Sequence, residues 1–112
     1  MAKVIIVDSL AKKIEAKFKG ETHEIISLLE SLEENPKKGK VLGQISGIVI
    51  KELKYKNYRF YFIADGFKLK VLDIESLHNL IIKFVRMSDK KEQQKVIDEI
   101  KIVLRKLGEV GF

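Results

Sequence analysis

The chain has 112 residues, 46% of them hydrophobic and 34% charged, a balance that suits one folded domain with its own core rather than a disordered segment. Lys and Arg number 22 against 16 Asp and Glu, and the net charge of +6 fits a polyanionic partner such as nucleic acid, or simply a solvated basic surface. The lack of cysteine excludes disulfides, thiol chemistry and cysteine metal sites. No apolar run approaches the roughly 20 residues that span a bilayer, and the start, Met1 to Asp8, is too short for a signal peptide. A cytoplasmic protein with no membrane partner is expected.

Val4-Ile5-Ile6-Val7 reads as a short strand. Asp8 or Ser9 can cap a helix carrying Leu10, Ile14 and Phe18 at helical spacing, which Gly20 ends. A second helix starts near Thr22, whose hydroxyl is a possible cap, and buries Ile25, Ile26, Leu28, Leu29 and Leu32. It stops at Asn35-Pro36, because proline disfavours a helical residue before it. The two segments form a helical hairpin. Lys37-Lys38-Gly39-Lys40 follows as a polar loop.

The texture changes at Ile45. Ile48, Val49, Ile50 and Leu53 mark a strand, and Tyr58 to Ala64 another. Asp65-Gly66 is a hairpin signal, since both turn positions tolerate positive φ. Phe67 to Ile74 then reads as a third strand, Ser76 to Asn79 as a looser turn, and Leu80 to Arg86 as a fourth strand. Asp89 with Glu92 has capping-box spacing. Val96, Ile97, Ile100, Val103, Leu104 and Leu107 keep 3-4 spacing up to a Gly108 C-cap, and residues 109–112 read as a flexible tail. The order is β-α-α-β-β-β-β-α. The expected fold is α+β: one domain over residues 1–112, with an antiparallel sheet of four to five strands. The helical hairpin lies on one face of the sheet, and a C-terminal helix follows.

The stretch from Glu52 to Gly66 interleaves Lys54, Lys56 and Arg59 with Tyr55, Tyr58, Phe60, Tyr61 and Phe62. Cations bind phosphates and aromatic faces stack on bases, so such a strand pair is a plausible RNA-contacting surface. Side chains alternate faces along a strand. Tyr58, Phe60 and Phe62 are assigned to the helix-covered core, which leaves Arg59, Tyr61 and Ile63 on an open face. Arg59 sits mid-strand among aromatics, where arginine is costly without a partner. Arg86 lies at a strand end and is expected to be exposed. Lys51, Lys56, Tyr61, Lys83 and Lys90 complete the candidate RNA-binding set, although Lys51, Lys56, Lys68 and Lys70 read first as charges that keep a sheet soluble. His78, in a turn before the last strand, is a possible acid/base group and also an ordinary solvated loop residue. His23 reads as structural or solvent-facing. No set of acids or histidines has metal-site spacing, and there is no Gly-rich phosphate loop. No cofactor or metal is expected.

Three stretches together resemble the RelE/ParE superfamily of toxins from type II toxin–antitoxin systems, and most closely its HigB-like (phage-derived) branch. Leu32-Glu33-Glu34-Asn35-Pro36 is similar to the segment closing that family's helical hairpin. Glu52-Leu53-Lys54 followed by Tyr58-Arg59-Phe60-Tyr61-Phe62 is similar to its Glu-Leu-Arg and Tyr-Arg-hydrophobic strands. Phe84-Val85-Arg86-Met87-Ser88-Asp89-Lys90 is similar to its segment entering the last helix. The likeness covers about residues 3–107. It implies ribosome-dependent cleavage of mRNA and inhibition of translation, held in check by a cognate antitoxin. The chemistry implied is metal-independent attack of a 2′-hydroxyl on its own neighbouring phosphate, with Arg and Lys stabilising the phosphorane. The resemblance assigns Arg59 to the scissile phosphate, Lys54 to the basic position before the turn and Arg86 to the basic position near the end of the last strand. Two alternatives stand beside it: a ParE-like inhibitor of DNA gyrase acting through protein contacts, and a non-toxic relative that binds RNA or protein only.

Overall fold

The computed structural model describes residues 2–71 and 78–112. In chain order the elements are β1 (Lys3–Ile6), α1 (Asp8–Lys17), α2 (Thr22–Glu30), a 3-10 turn (Ser31–Glu33), β2 (Lys40–Ile45), β3 (Ile48–Tyr55), β4 (Tyr58–Asp65), α3 (Gly66–Val71), β5 (Ile81–Asp89), α4 (Gln93–Leu107) and a closing 3-10 turn (Gly108–Gly111). The α+β class holds. The sheet is mixed rather than antiparallel: five strands run in the order β1-β5-β4-β3-β2, and β1 pairs with β5 in parallel, Lys3 opposite Ile81 to Ile6 opposite Phe84. Between β1 and β5 the chain lays down both hairpin helices and three further strands, so the last strand returns beside the first in the same direction.

Several local expectations change for identifiable reasons. Lys40 to Ile45, of which only Lys40 falls in the expected loop and residues 41–44 in no expected element, forms edge strand β2. Its backbone pairs with β3, with a register shift between Val41 and Gly43. Gly39 makes that entry possible. Its φ is +104°, and a Cβ there would meet the Glu52 carbonyl oxygen and the Phe62 ring, each at 2.9 Å. Asp65-Gly66 does not make a hairpin turn. The Asp65 carboxylate accepts the backbone N–H groups of Phe67 and Lys68, at 2.9 and 3.0 Å, and so starts a helix where a third meander strand was expected. The remainder of that expected strand, residues 72–74, and the first half of the following turn, residues 76–77, lie outside the described residues. Thr22 does not cap its helix; its hydroxyl donates back to the Phe18 carbonyl at 3.0 Å. The Asp89 carboxylate accepts the Glu92 N–H at 2.9 Å, but Asp89 closes β5 and does not cap the last helix. That helix starts at Gln93, after an N-cap Glu92 that makes no side-chain capping bond. Gly108, at φ +65°, ends it. Residues 109–112 do not run free: after the 3-10 turn the Phe112 ring lies 5.0 Å from the Arg86 guanidinium.

Both faces of the sheet are covered. On one, α1 and α2 bring Leu10, Ile14, Ile25 and Leu29 onto Leu53, Phe60, Phe62 and Phe84. Burying each of these aromatic rings stabilises the fold by roughly 2–3 kcal/mol. Phe62 and Phe84 pack with centroids 4.8 Å apart, and Phe18 meets Tyr58 edge-on at 4.9 Å. On the other face, α4 sets Ile97, Ile100 and Leu104 against Ile50, Tyr61, Ile63 and Val85. The assignment of Phe60 and Phe62 to the hairpin side stands. The face carrying Arg59, Tyr61 and Ile63 is not open, because the apolar stripe of α4 needs a surface to bury and takes this one.

Candidate functional site

Strand register decides which cations can act together. Lys54 on β3 is opposite Arg59 on β4, and Arg59 is opposite Ser88 on β5. One step along, Glu52 is opposite Tyr61 and Tyr61 is opposite Arg86. Directly opposed residues share a face, so Glu52, Lys54, Arg59, Tyr61, Arg86 and Ser88 form a two-row patch on the α4 side of the sheet. The rows lie near the β3–β4 turn, where β5 leads into α4. With strands about 4.8 Å apart, Lys54 and Ser88 are separated by roughly 10 Å. A register shift skips Val85, which lets both Val85 and Arg86 address the Tyr61 side.

Only part of this patch is accessible. Lys54 is exposed and Arg86 half-buried. The Arg86 guanidinium also donates to the Val85 carbonyl at 2.8 Å. Arg59, expected on an open face, is 8% exposed, and its Nε lies 3.4 Å from Oε2 of Glu52, itself 7% exposed. That carboxylate oxygen is buried and accepts no hydrogen bond. The pair is therefore an ion pair without hydrogen-bond geometry, in a setting where desolvation is expensive. Tyr61 is completely buried, and its hydroxyl and that of Ser88 share a 2.7 Å hydrogen bond. Burial pushes the Tyr61 phenol above its ordinary 10.0, while the Ser88 hydrogen bond pulls it down.

The other candidates are dispersed. Tyr61 offers no ring face to a base. Lys51 points to the hairpin side, 3% exposed, where its ammonium donates to the Lys37 carbonyl at 2.9 Å and sits 5.7 Å over the Phe62 ring. Burial holds that ammonium below its ordinary 10.5. It anchors the loop before β2 and does not face solvent. Lys56 is exposed in the β3–β4 turn and pairs with Glu21 from the helical hairpin, which also accepts the Tyr55 hydroxyl at 2.7 Å. Lys83 is half-buried opposite Ile63, further from the rows, and Lys90 is exposed just past β5. His78 is exposed and precedes β5. The stretch from Ile81 to Ser88 covers roughly 23 Å at about 3.3 Å per residue, so His78 lies at the far end of the sheet from Arg59. It cannot serve as an acid or base there.

Two features of the site were not read from the sequence. Ser88 is the buried partner of Tyr61, through a hydrogen bond that runs diagonally across the β4–β5 pairing. A cleft of about 550 Å³ opens between α1 and α4 at the same end of the sheet. Lys13 and Lys17 form one wall and Glu92, Lys95 and Glu99 the other, with Tyr58 and Met87 at its floor. Its mixed charge gives no preference for an anion. Among the described residues no group of three or more His, Asp or Glu could hold a metal ion, and no helix is long and apolar enough to cross a membrane. Set against protein-family models, curated proteins and solved structures, the chain matches none.

Proposed function

We propose that the chain is a RelE/ParE-like toxin, of the HigB-like kind, that cleaves mRNA on the ribosome. The observation that supports this reading is the register: Lys54 stands directly opposite Arg59, and Arg86 lies one row away on the same sheet face. The three positions that the resemblance marks come from three strands, and only this pairing brings them together. In the proposed reaction a 2′-hydroxyl attacks the adjacent phosphate and the 5′-oxygen leaves. Lys54 holds the phosphate by charge, Arg59 offers the planar fork that suits a phosphorane, and Arg86 receives a neighbouring phosphate. Arg59 first has to turn from Glu52 toward Lys54. Proton transfer falls to water or the ribosome, because the candidate acid/base His78 lies at the far end of the sheet. Ribosome, mRNA and a small antitoxin are the partners that go with this reading.

The burial of Arg59 favours a second reading, in which the chain binds RNA or a protein without cutting. Primer-extension mapping of mRNA after induced expression separates the two. Cuts confined to translated regions, lost on Lys54→Ala, support the nuclease. An uncut transcript pool at growth-arresting expression supports the binder.

A further inference from the structure

Arg59 carries five N–H donors, and among the described residues the one ion pair its side chain makes is the 3.4 Å approach to Glu52. Glu52 is the more poorly served of the two, since its Oε2 is buried and accepts no hydrogen bond. A buried pair in this state gives little net stabilisation, yet removing either partner leaves an uncompensated charge. The two residues sit diagonally, because Glu52 is opposite Tyr61 while Arg59 is opposite exposed Lys54. A rotation of Arg59 away from Glu52 carries its guanidinium toward Lys54 and solvent. The resistance to that rotation is Glu52, which would be left charged among Tyr61, Ile50 and the apolar stripe of α4.

From this we infer that Glu52 is an internal stand-in for a ligand phosphate: it occupies Arg59 and keeps the anion site closed until a phosphate group replaces it. Resting on the reading of Lys54 and Arg59 as phosphate-facing, this makes Glu52 a regulatory residue of that site rather than a reacting one. A phosphate gives the guanidinium two parallel hydrogen bonds that the carboxylate does not make here. Lys54 is placed to draw the polyanion in and to share its charge once Arg59 swings out. The pair also explains why a strongly basic strand end carries a buried acid. Without Glu52, Lys54 and Arg59 would face each other across adjacent strands as unrelieved like charges.

The test is titration of the wild-type chain and of Glu52→Gln with inorganic pyrophosphate and with a short oligouridylate, followed at the Arg59 Nε–Hε NMR resonance. Glu52→Gln should bind both at least about tenfold tighter, with the Arg59 resonance moving on binding, and Glu52→Gln combined with Arg59→Gln should lose the gain. Equal affinity in the two proteins, or an Arg59 resonance that stays still at saturation, overturns the inference. If Glu52→Gln does not fold, the wild-type titration decides: an Arg59 resonance that shifts together with Lys54 supports the displacement, and a stationary one overturns it. A separate assay on translating ribosomes keeps the two conclusions apart. Tighter phosphate binding by Glu52→Gln with no mRNA cleavage by either protein removes the nuclease and leaves the closed site. Cleavage by wild type with unchanged phosphate binding does the reverse.

Discussion

The two faces of the sheet bury charge in different ways. On the hairpin side, Lys51 is satisfied by a backbone carbonyl and an aromatic ring, and nothing titratable opposes it. Its role is to tie the Lys37 loop to the core. On the α4 side, an acid and an arginine are buried together with incomplete hydrogen bonding, beside a lysine left in solvent. The first arrangement is built for rigidity. The second retains charge that the apolar packing around it does not need, and it is the arrangement on which the proposed phosphate site rests.

Variants can sharpen that contrast. The largest loss is expected for Phe62→Ala, which opens a cavity on the hairpin side between Phe84, Lys51 and Gly39. It should lower stability by roughly 3–5 kcal/mol in chemical denaturation. Arg59→Ala should come close, at about 3–5 kcal/mol, because it strands the Glu52 carboxylate. The paired replacement Glu52→Gln with Arg59→Gln should restore most of that stability, and a paired variant as unstable as Arg59→Ala would show that the charges act independently. Gly39→Ala should follow with a loss of about 1–3 kcal/mol, since its Cβ clashes and its φ is unfavourable. Tyr61→Phe leaves Ser88 without its partner and should lose about 1 kcal/mol.

The smallest effect is in the alkaline limb of stability, and the two faces pull it in opposite directions. Lys51 is held below 10.5 in the folded state, so the unfolded chain binds more protons over that range, and stability gains as pH rises toward 10.5. Tyr61 is held above 10.0, so the unfolded chain gives up its proton first, and stability falls as pH passes 10. Thermal melts between about pH 9 and 11 should therefore show a steeper decline for Lys51→Met than for wild type, and a shallower one for Tyr61→Phe. Identical slopes in all three proteins would show that neither group's burial is felt.

Much of the fold was legible from local signals. The hairpin helices, the Asn35-Pro36 stop, the 3-4 stripe of α4 and its Gly108 end follow from chemistry within a few residues of each position. What escaped depends on distant partners. Lys40 to Ile45 is a strand because β3 lies beside it, and its own glycine and glutamine hide that. Asp65-Gly66 fits both a turn and a helix start, and the Asp65 carboxylate chose the latter by accepting two N–H groups. The candidate site was half legible. Alternation placed Arg59 on the face away from the core aromatics, and the resemblance singled out Lys54 before the turn. The burial of Arg59 could not be read, because the long-range docking of α4 decides it. The same docking hides Tyr61 from any base, while the length of β5 removes His78 from the patch.

The central claim is that the rows of Lys54, Arg59 and Arg86 engage RNA phosphate on the ribosome. It is met most directly by adding purified protein to a reconstituted translation reaction and reading mRNA length over time. Wild type should shorten translated mRNA and spare the same transcript without ribosomes, while a chain carrying Lys54→Ala with Arg86→Ala, folded by circular dichroism, should leave it intact. Full-length mRNA in the presence of wild type, or equal cutting by the double variant, would contradict the account.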